Sequence, residues 1–437
     1  MFEKVEDIEF KSTSEIKTFQ NEKFKELLAF LKQNSAFYQK QFEALSIDIS
    51  SINSIDEIVK FNFTEKEDLA EHNDDLLCVA KNKVADYVTT SGTIGDPVTF
   101  FLTHKDIERL AYNEAQSLKC AGGSSEDVFQ LMTTIDKRFM AGLAYLNGVL
   151  KLKAGIIRVG PGSPHLQWDS ILRFKPSFLI CIPSFIPQLI DFAIKNNIDY
   201  KNSSVKSIVC IGEPIRNKDL ELSELGKRIT SQWNVKLFST YASTEMGAAF
   251  TECEHGIGGH LRPELLILEV VDENGMEVAN NEVGEVVVTT LGVEGMPLLR
   301  YKTGDICKVY YDACACGRNT KRLGPVLGRN KQMLKYKGTT VFPPAIFDVL
   351  DMIPEIDLYQ LEIRSDEYSN DDIFVNLPIN LLQNDTEDYS FEKELKSIFR
   401  SKLRVVPKFN YLKIEDLKTN IFKPEMRKPV KILDKRV

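Results

Sequence analysis

From Ser14 to about Leu45 the apolar positions Ile16, Phe19, Phe24, Leu27, Leu28 and Leu31 recur at roughly helical spacing, which predicts an amphipathic helix. After Tyr87 the pattern changes. Short apolar runs at Asp127 to Thr133, Gly155 to Val159, Ser177 to Ile182, Val205 to Ile211 and Lys236 to Phe238 alternate with helical stretches or loops. That alternation predicts an α/β sheet with helices packed on it. From Leu265 the period shortens to two: Ile267 to Val278 carries an Asn-Gly turn between apolar runs and Glu285-Val-Val-Val-Thr-Thr follows, so antiparallel hairpins close the large unit. Beyond Arg329, strand-like Tyr359 to Ile363 and Ile373 to Asn376 precede a helical Tyr389 to Leu403, the pattern of a small α+β domain. The expected organisation is an α/β domain with a β-rich subdomain over 1–330 and a small α+β domain over 331–437.

Composition narrows the function classes. The 437 residues include 63 acidic and 55 basic side chains for a net charge of −8, so no broad attraction to phosphate backbones or anionic membranes is expected. Nucleic acid and membrane are therefore not the expected partners. The most apolar stretch, Phe178 to Ile190, is interrupted by Pro183 and Pro187 and is shorter than the roughly 20 residues a bilayer span requires. The opening Met1-Phe-Glu-Lys-Val-Glu-Asp lacks the basic start and apolar run of a secretory signal. Eight cysteines in a chain of this length are too sparse for a disulfide scaffold, which fits a reducing cytoplasm.

The sharpest local feature is Tyr87-Val-Thr-Thr-Ser-Gly-Thr-Ile-Gly-Asp-Pro. A hydroxyl- and glycine-rich loop after a short apolar run points several N–H and O–H groups at one oxyanion, as a phosphate requires. An ordinary Gly/Ser/Thr turn has the same composition, and no Gly-Lys-Ser or Gly-Lys-Thr of the nucleotide-binding P-loop occurs. Three further motifs follow in order: Tyr241-Ala-Ser-Thr-Glu, Arg300-Tyr-Lys-Thr-Gly-Asp and Leu327-Gly-Arg-Asn-Lys. Together the four motifs resemble the signature series of the adenylate-forming superfamily of acyl-CoA synthetases. Asn34-Ser-Ala-Phe-Tyr, Phe63-Thr-Glu-Lys-Glu-Asp-Leu, Ile211-Gly-Glu-Pro, Tyr336-Lys-Gly-Thr-Thr-Val-Phe-Pro-Pro and the ending Lys428-Pro-Val-Lys-Ile-Leu-Asp-Lys-Arg are similar to the phenylacetate-CoA ligase family. The resemblance runs over nearly the whole chain.

What the resemblance implies is an ATP- and Mg²⁺-dependent ligase that activates a carboxylic acid, aryl or arylalkyl, as its acyl-adenylate and passes the acyl group to coenzyme A. Thr89, Thr90, Ser91, Gly92, Thr93 and Gly95 would hold the ATP phosphates, and Gly212, Glu213 and Pro214 would border the adenine. Tyr241 would stack on the base, Thr244 would bond the α-phosphate and Glu245 would hold Mg²⁺, since a carboxylate beside a phosphate needs a divalent ion between them. Asp305 would accept the ribose hydroxyls, with Arg329 as a nearby donor. Lys428 would be the catalytic lysine of a mobile C-terminal domain, bridging acid and ATP as charge builds in the transition state; Lys431 is the competing assignment, and a merely solvated basic tail is the ordinary alternative. Lys331 would be the hinge, and Gly338 would give a flat backbone for the pantetheine arm. Relatives suggest a homodimer.

Cys253-Glu-His255 and Cys314-Ala-Cys316 supply three thiolates and an imidazole, a ligand set suited to a structural zinc, with His260 as the substitute for His255 and unligated thiols as the alternative. Two departures bear on ATP. Asp96 stands where many relatives carry Lys, and Ile94 replaces a usual Thr; Lys83, Lys105 or another cation would have to substitute. The acyl pocket is expected between Met132 and Gly162, with Ile135, Phe139, Leu143 and Tyr145 as slot or core. The competing functions are transfer of the acyl group to a carrier protein or an amine, and nucleotide binding without turnover.

Overall fold

The computed structural model describes residues 3–5, 7–90, 98–332, 334–336, 339–365, 371–384, 390–403, 405–423 and 429–436. The chain divides into two compact units, Met1–Val326 and Leu327–Val437, against an expected boundary at 330/331.

In the first unit the amphipathic N-terminal segment forms two helices, Thr13–Asn34 and Ala36–Leu45, rather than one. Ser35 divides them: its backbone is extended, and its side chain accepts from the Tyr38 N–H to start the second helix. Ser12 and Glu15 form a capping box at the start of the first. The buried side chains Phe24, Leu27, Leu28 and Leu31 pack with Tyr38, Phe42 and Phe61 in the largest core cluster.

Five parallel strands lie side by side in the order Gly155–Arg158, Val128–Leu131, Phe178–Cys181, Ser207–Cys210 and Lys236–Ser243. The inner strands Phe178–Cys181 and Ser207–Cys210 are buried at every position, which is why they read as continuous apolar runs rather than as alternation. Lys236–Ser243 then pairs antiparallel with Ala248–Thr251, and the sheet continues into the antiparallel strands Leu266–Val271, Val283–Thr290 and Tyr301–Tyr310. A separate hairpin joins Asp86–Thr89 to Thr99–Leu102 in antiparallel register.

Two helices, His104–Cys120 and Met140–Leu152, pack closely on the parallel sheet. Gly148 permits this, because a Cβ there would lie 2.3 Å from the Glu114 Cβ. Glu114 is 4% exposed and its Oε2 has no hydrogen-bond partner among the described residues; burial pushes the carboxyl up to about 8 from 4.5. The folded chain therefore retains a proton that the unfolded chain releases, and stability is lost as pH rises from about 4.5 through 8. Glu114→Gln should leave thermal stability nearly unchanged at pH 5 and raise it at pH 8.5; an equal gain at both values would refute the assignment.

In the second unit, Gln360–Ser365 and Asp371–Pro378 pair antiparallel, flanked by the parallel partners Ile432–Asp434 and Lys408–Leu412. The helices Pro343–Asp351 and Phe391–Leu403 contribute Ile346, Leu350, Leu395 and Phe399 to a core of its own with Leu361, Ile363 and Val375. Among the described residues no helix is long and apolar enough to cross a membrane.

Candidate active site and metal centre

In a parallel sheet the carboxyl ends of the strands form the natural ligand crevice, because the loops that follow diverge there. Cys181, Cys210 and Ser239 lie abreast in the sheet, so the segments that follow emerge from one edge. Gly212 adopts a φ of +76°, which glycine accommodates without strain, and turns the chain so that the Glu213 carboxylate accepts from the Ser184 N–H at 3.2 Å. The Glu213 loop is thereby tied to the loop of the neighbouring strand.

Tyr241 and Asp305, 64 residues apart, meet directly: the tyrosine O–H donates to Asp305 Oδ2 at 2.9 Å. The Tyr241 ring stacks near Phe250, 5.9 Å between centroids, and the Asp305 backbone N–H donates to Thr303 Oγ1 at 3.1 Å. Burial, reinforced by the adjacent Asp305 carboxylate, pushes the Tyr241 phenol well above its usual value, so it remains a donor.

Thr244 and Glu245 occupy the turn between Lys236–Ser243 and Ala248–Thr251 and line a narrow cavity with Phe100, Phe101 and Met140. The return strand of the hairpin and the start of the helix Met140–Leu152 thus face the same turn. The feet of the glycine-rich loop are pinned together: Thr90 N donates to Val98 O and Val98 N to Thr90 Oγ1, each at 3.0 Å. Sequence reasoning did not find the residue that fixes the Thr244 turn. Arg109, 1% exposed, donates to the carbonyls of Gly247 at 2.7 Å, Leu265 at 2.7 Å and Leu291 at 2.8 Å. One guanidinium therefore ties three segments together. A single Arg within a helix carries no signal for such a role, since its ordinary reading is a solvated face.

Ser91, Gly92, Thr93, Gly95, Gly338 and Lys428 lie outside the described residues, as do Ile94 and Asp96. Arg329 and Lys331 belong to the second unit. Within the expected acyl segment, Ile135 is exposed and Phe139 and Leu143 are half-buried. Tyr145 packs into the core with Phe129, Val149 and Phe238, so it is not a slot wall; Met140, not among the expected lining residues, faces the cavity instead.

The second centre consists of Cys253, His260, Cys314 and Cys316, whose ligand atoms all lie within 4.8 Å of one another. This corrects the expectation of His255, which is exposed. The turn closed by Gly256 N to Cys253 O, with Gly256 at φ +61°, brings the His255 backbone N–H rather than its ring toward the Cys253 sulfur. His260 is carried in by register, pairing with Thr251 on one side and Arg322 on the other. Its Nδ1 lies 3.2 Å from Thr320 Oγ1 and its Nε2 3.5 Å from Cys316 Sγ. A tetrahedral ion with bonds of about 2.3 Å to sulfur and about 2.0 Å to nitrogen has S···S edges of roughly 3.8 Å and S···N edges of roughly 3.5 Å. Cys253 Sγ and Cys314 Sγ are 3.7 Å apart, so the donor set fits such an ion. Burial holds His260 down at about 3 and therefore neutral, and pushes the Cys253 thiol up to about 12. Three packed thiols become thiolates together only with a cation among them.

The chain belongs to the AMP-binding enzyme family, whose model matches residues 27–295. Within it the chain belongs with the phenylacetate-coenzyme A ligases. It is 30% identical to that of Thermus thermophilus, over 82% of this chain and 80% of the relative, and 27% identical to that of Escherichia coli, over 83% and 82%. Among solved structures, 2-hydroxyisobutyryl-CoA ligase in its postadenylation state with 2-HIB-AMP superimposes with a TM-score of 0.83 at 19% identity, over 99% of this chain and 94% of that one. This likeness establishes the adenylate-forming fold.

Proposed function

We propose that the chain is an ATP-dependent acid–coenzyme A ligase that activates an aryl or arylalkyl carboxylic acid as its acyl-adenylate and then forms the thioester with coenzyme A. The observation that carries the reading is the Tyr241–Asp305 contact at the carboxyl edge of the sheet, beside a turn bearing Thr244 and Glu245. An acceptor-only carboxylate suits a ribose diol, and an aromatic face suits a purine. Membership of the phenylacetate-CoA ligase family supports the acid–thiol chemistry and an aromatic acid.

In this reading the acid carboxylate attacks the α-phosphorus and pyrophosphate leaves. Thr244 donates to the α-phosphate oxygen that gains charge, and Asp305 and Tyr241 fix the ribose and base so that attack is in line. Glu245, half-buried beside Thr244, would hold Mg²⁺, which when bound offsets phosphate charge. Lys428 is assigned as the transition-state cation, with Lys331 as hinge and Gly338 beside the pantetheine arm. Zinc in the Cys253, His260, Cys314 and Cys316 cluster would be structural, since four protein ligands leave no open position.

The test is acid-dependent ATP–pyrophosphate exchange across aryl, arylalkyl and fatty acids, followed by coenzyme A-dependent AMP release. Exchange restricted to fatty acids would reject the aromatic assignment, and none with any acid would reject the ligase. Asp305→Asn should raise the KM for ATP about 10- to 100-fold, as for loss of a hydrogen bond to a charged group, and Tyr241→Phe by less than about 10-fold. A normal ATP KM in Asp305→Asn would remove its ribose role.

A further inference from the structure

The glycine-rich segment between Thr90 and Val98 reads Ser-Gly-Thr-Ile-Gly-Asp-Pro; it contains no cation and one acid, Asp96. A triphosphate held at its feet needs positive charge from elsewhere, because hydroxyl and amide donors do not neutralise the β- and γ-phosphates. Lys83 and Lys105, the substitutes expected from sequence, are placed at the wrong end. Register pairs Asp86 with Leu102 and Thr89 with Thr99, so both lysines flank the hairpin end opposite the loop. Three strand steps alone separate the two ends by roughly 10 Å. Lys105 is also engaged, with Nζ 2.6 Å from Glu294 Oε1.

Another cation stands at the correct end. The Thr89 N–H donates to the Arg138 carbonyl at 3.1 Å, which fixes Arg138 beside the residue that leads into the loop feet. Arg138 and its neighbour Lys137 both adopt a φ of +57°, a left-handed conformation costly for long side chains. Arg138 is exposed, and among the described residues nothing engages its guanidinium by ion pair or hydrogen bond. The acid on its own loop, Asp136, is taken by a hydrogen bond from Thr134 Oγ1. Two residues on, Met140 begins a 13-residue helix without a side-chain cap and lines the cavity shared with Thr244 and Glu245. Arg138 is therefore tied through its carbonyl to the strand that leads into the loop feet and, two residues on, to the helix whose Met140 lines the Thr244–Glu245 cavity.

We propose that Arg138 is the triphosphate-binding residue of this chain, contacting the β- and γ-phosphates of ATP and the pyrophosphate that leaves. The proposal rests on the ATP-dependent reading above. A guanidinium fork presents two parallel donors to a phosphate, so one arginine supplies both charge and orientation.

The experiment measures ATP–pyrophosphate exchange and calorimetric binding of ATP and of AMP by the wild-type chain, Arg138→Ala, Arg138→Lys, Lys83→Ala and Lys105→Ala. Arg138→Ala should raise the KM for ATP and for pyrophosphate about 10- to 100-fold, with the KM for acid unchanged and AMP binding preserved. Arg138→Lys should recover only part of the loss, since it restores the charge but not the fork, and the two remote lysine variants should match wild type. Unchanged ATP and pyrophosphate KM values in Arg138→Ala would overturn the assignment while leaving the ligase reading intact. A rise confined to the acid KM, or equal weakening of ATP and AMP, would overturn it as well. If wild type showed no exchange with any acid, the calorimetric gap between ATP and AMP would still decide the role of Arg138.

Discussion

Purified from a zinc-replete source, the chain should carry close to one zinc per molecule, and Cys316→Ser, Cys314→Ser and His260→Ala should each release it. His255→Ala should retain the metal in full, because its ring is not among the clustered donor atoms and its backbone N–H is what bonds the Cys253 sulfur. The expected consequence is structural. Cys253 and His260 lie on the segment that follows Ala248–Thr251, while Cys314 and Cys316 lie in the connection between Tyr301–Tyr310 and Arg322–Leu323. An ion among them cross-links loops 61 residues apart in sequence. The N-terminal segment is attached to the same loop: Arg318 Nε donates to Glu9 Oε1 at 2.7 Å, and Asn319 N to Glu9 O at 2.8 Å. Metal loss should therefore loosen the connection and the N-terminus together, lowering the unfolding temperature by at least about 5 °C, as a loss of several kcal/mol would in a unit of this size. The adenylation KM values should change little while the chain remains folded. Metal content well below one per chain in wild type, or full retention in Cys316→Ser, would reject the zinc.

How much of this was legible in the sequence depends on which physical signal each element carries. The parallel strands were readable because Phe178–Cys181 and Ser207–Cys210 are buried on both faces and appear as unbroken apolar runs between helical stretches. The C-terminal partners Lys408–Leu412 and Ile432–Asp434 were not, since five and three residues with mixed polarity carry no period. At the site, Tyr241 and Asp305 were identified through their motifs, but their contact follows from the sheet, which only coordinates reveal. Local spacing favoured His255, two residues from Cys253; the selection of His260 is made by cross-strand register, which single-sequence spacing does not encode. Arg109 and Arg138 were invisible for a shared reason. What distinguishes each is a partner carbonyl or amide far along the chain, Gly247, Leu265 and Leu291 for one and Thr89 for the other.

Lys428→Ala should lower acid-dependent exchange by at least about 100-fold, as expected for removing one transition-state charge partner, while Lys431→Ala stays within about 10-fold of wild type. The distinction follows from what Lys431 already does within its own unit. Its carbonyl accepts from Leu361 N at 2.8 Å, and its ammonium sits 5.8 Å from the Phe347 ring centroid and 5.4 Å from that of Tyr359. Leaving those two rings for the active site would forfeit favourable cation–π contact with each, so Lys431 acts as an anchor of the terminal strand Ile432–Asp434. Its replacement should show as reduced thermal stability rather than reduced chemistry. The roles separate further with preformed acyl-adenylate: once the phosphoryl step has been passed, transfer to coenzyme A no longer needs the ammonium, so Lys428→Ala should form thioester at nearly the wild-type rate. Near-normal exchange in Lys428→Ala would remove the assigned role, and a collapse of exchange in Lys431→Ala alone, with stability preserved, would transfer it to Lys431.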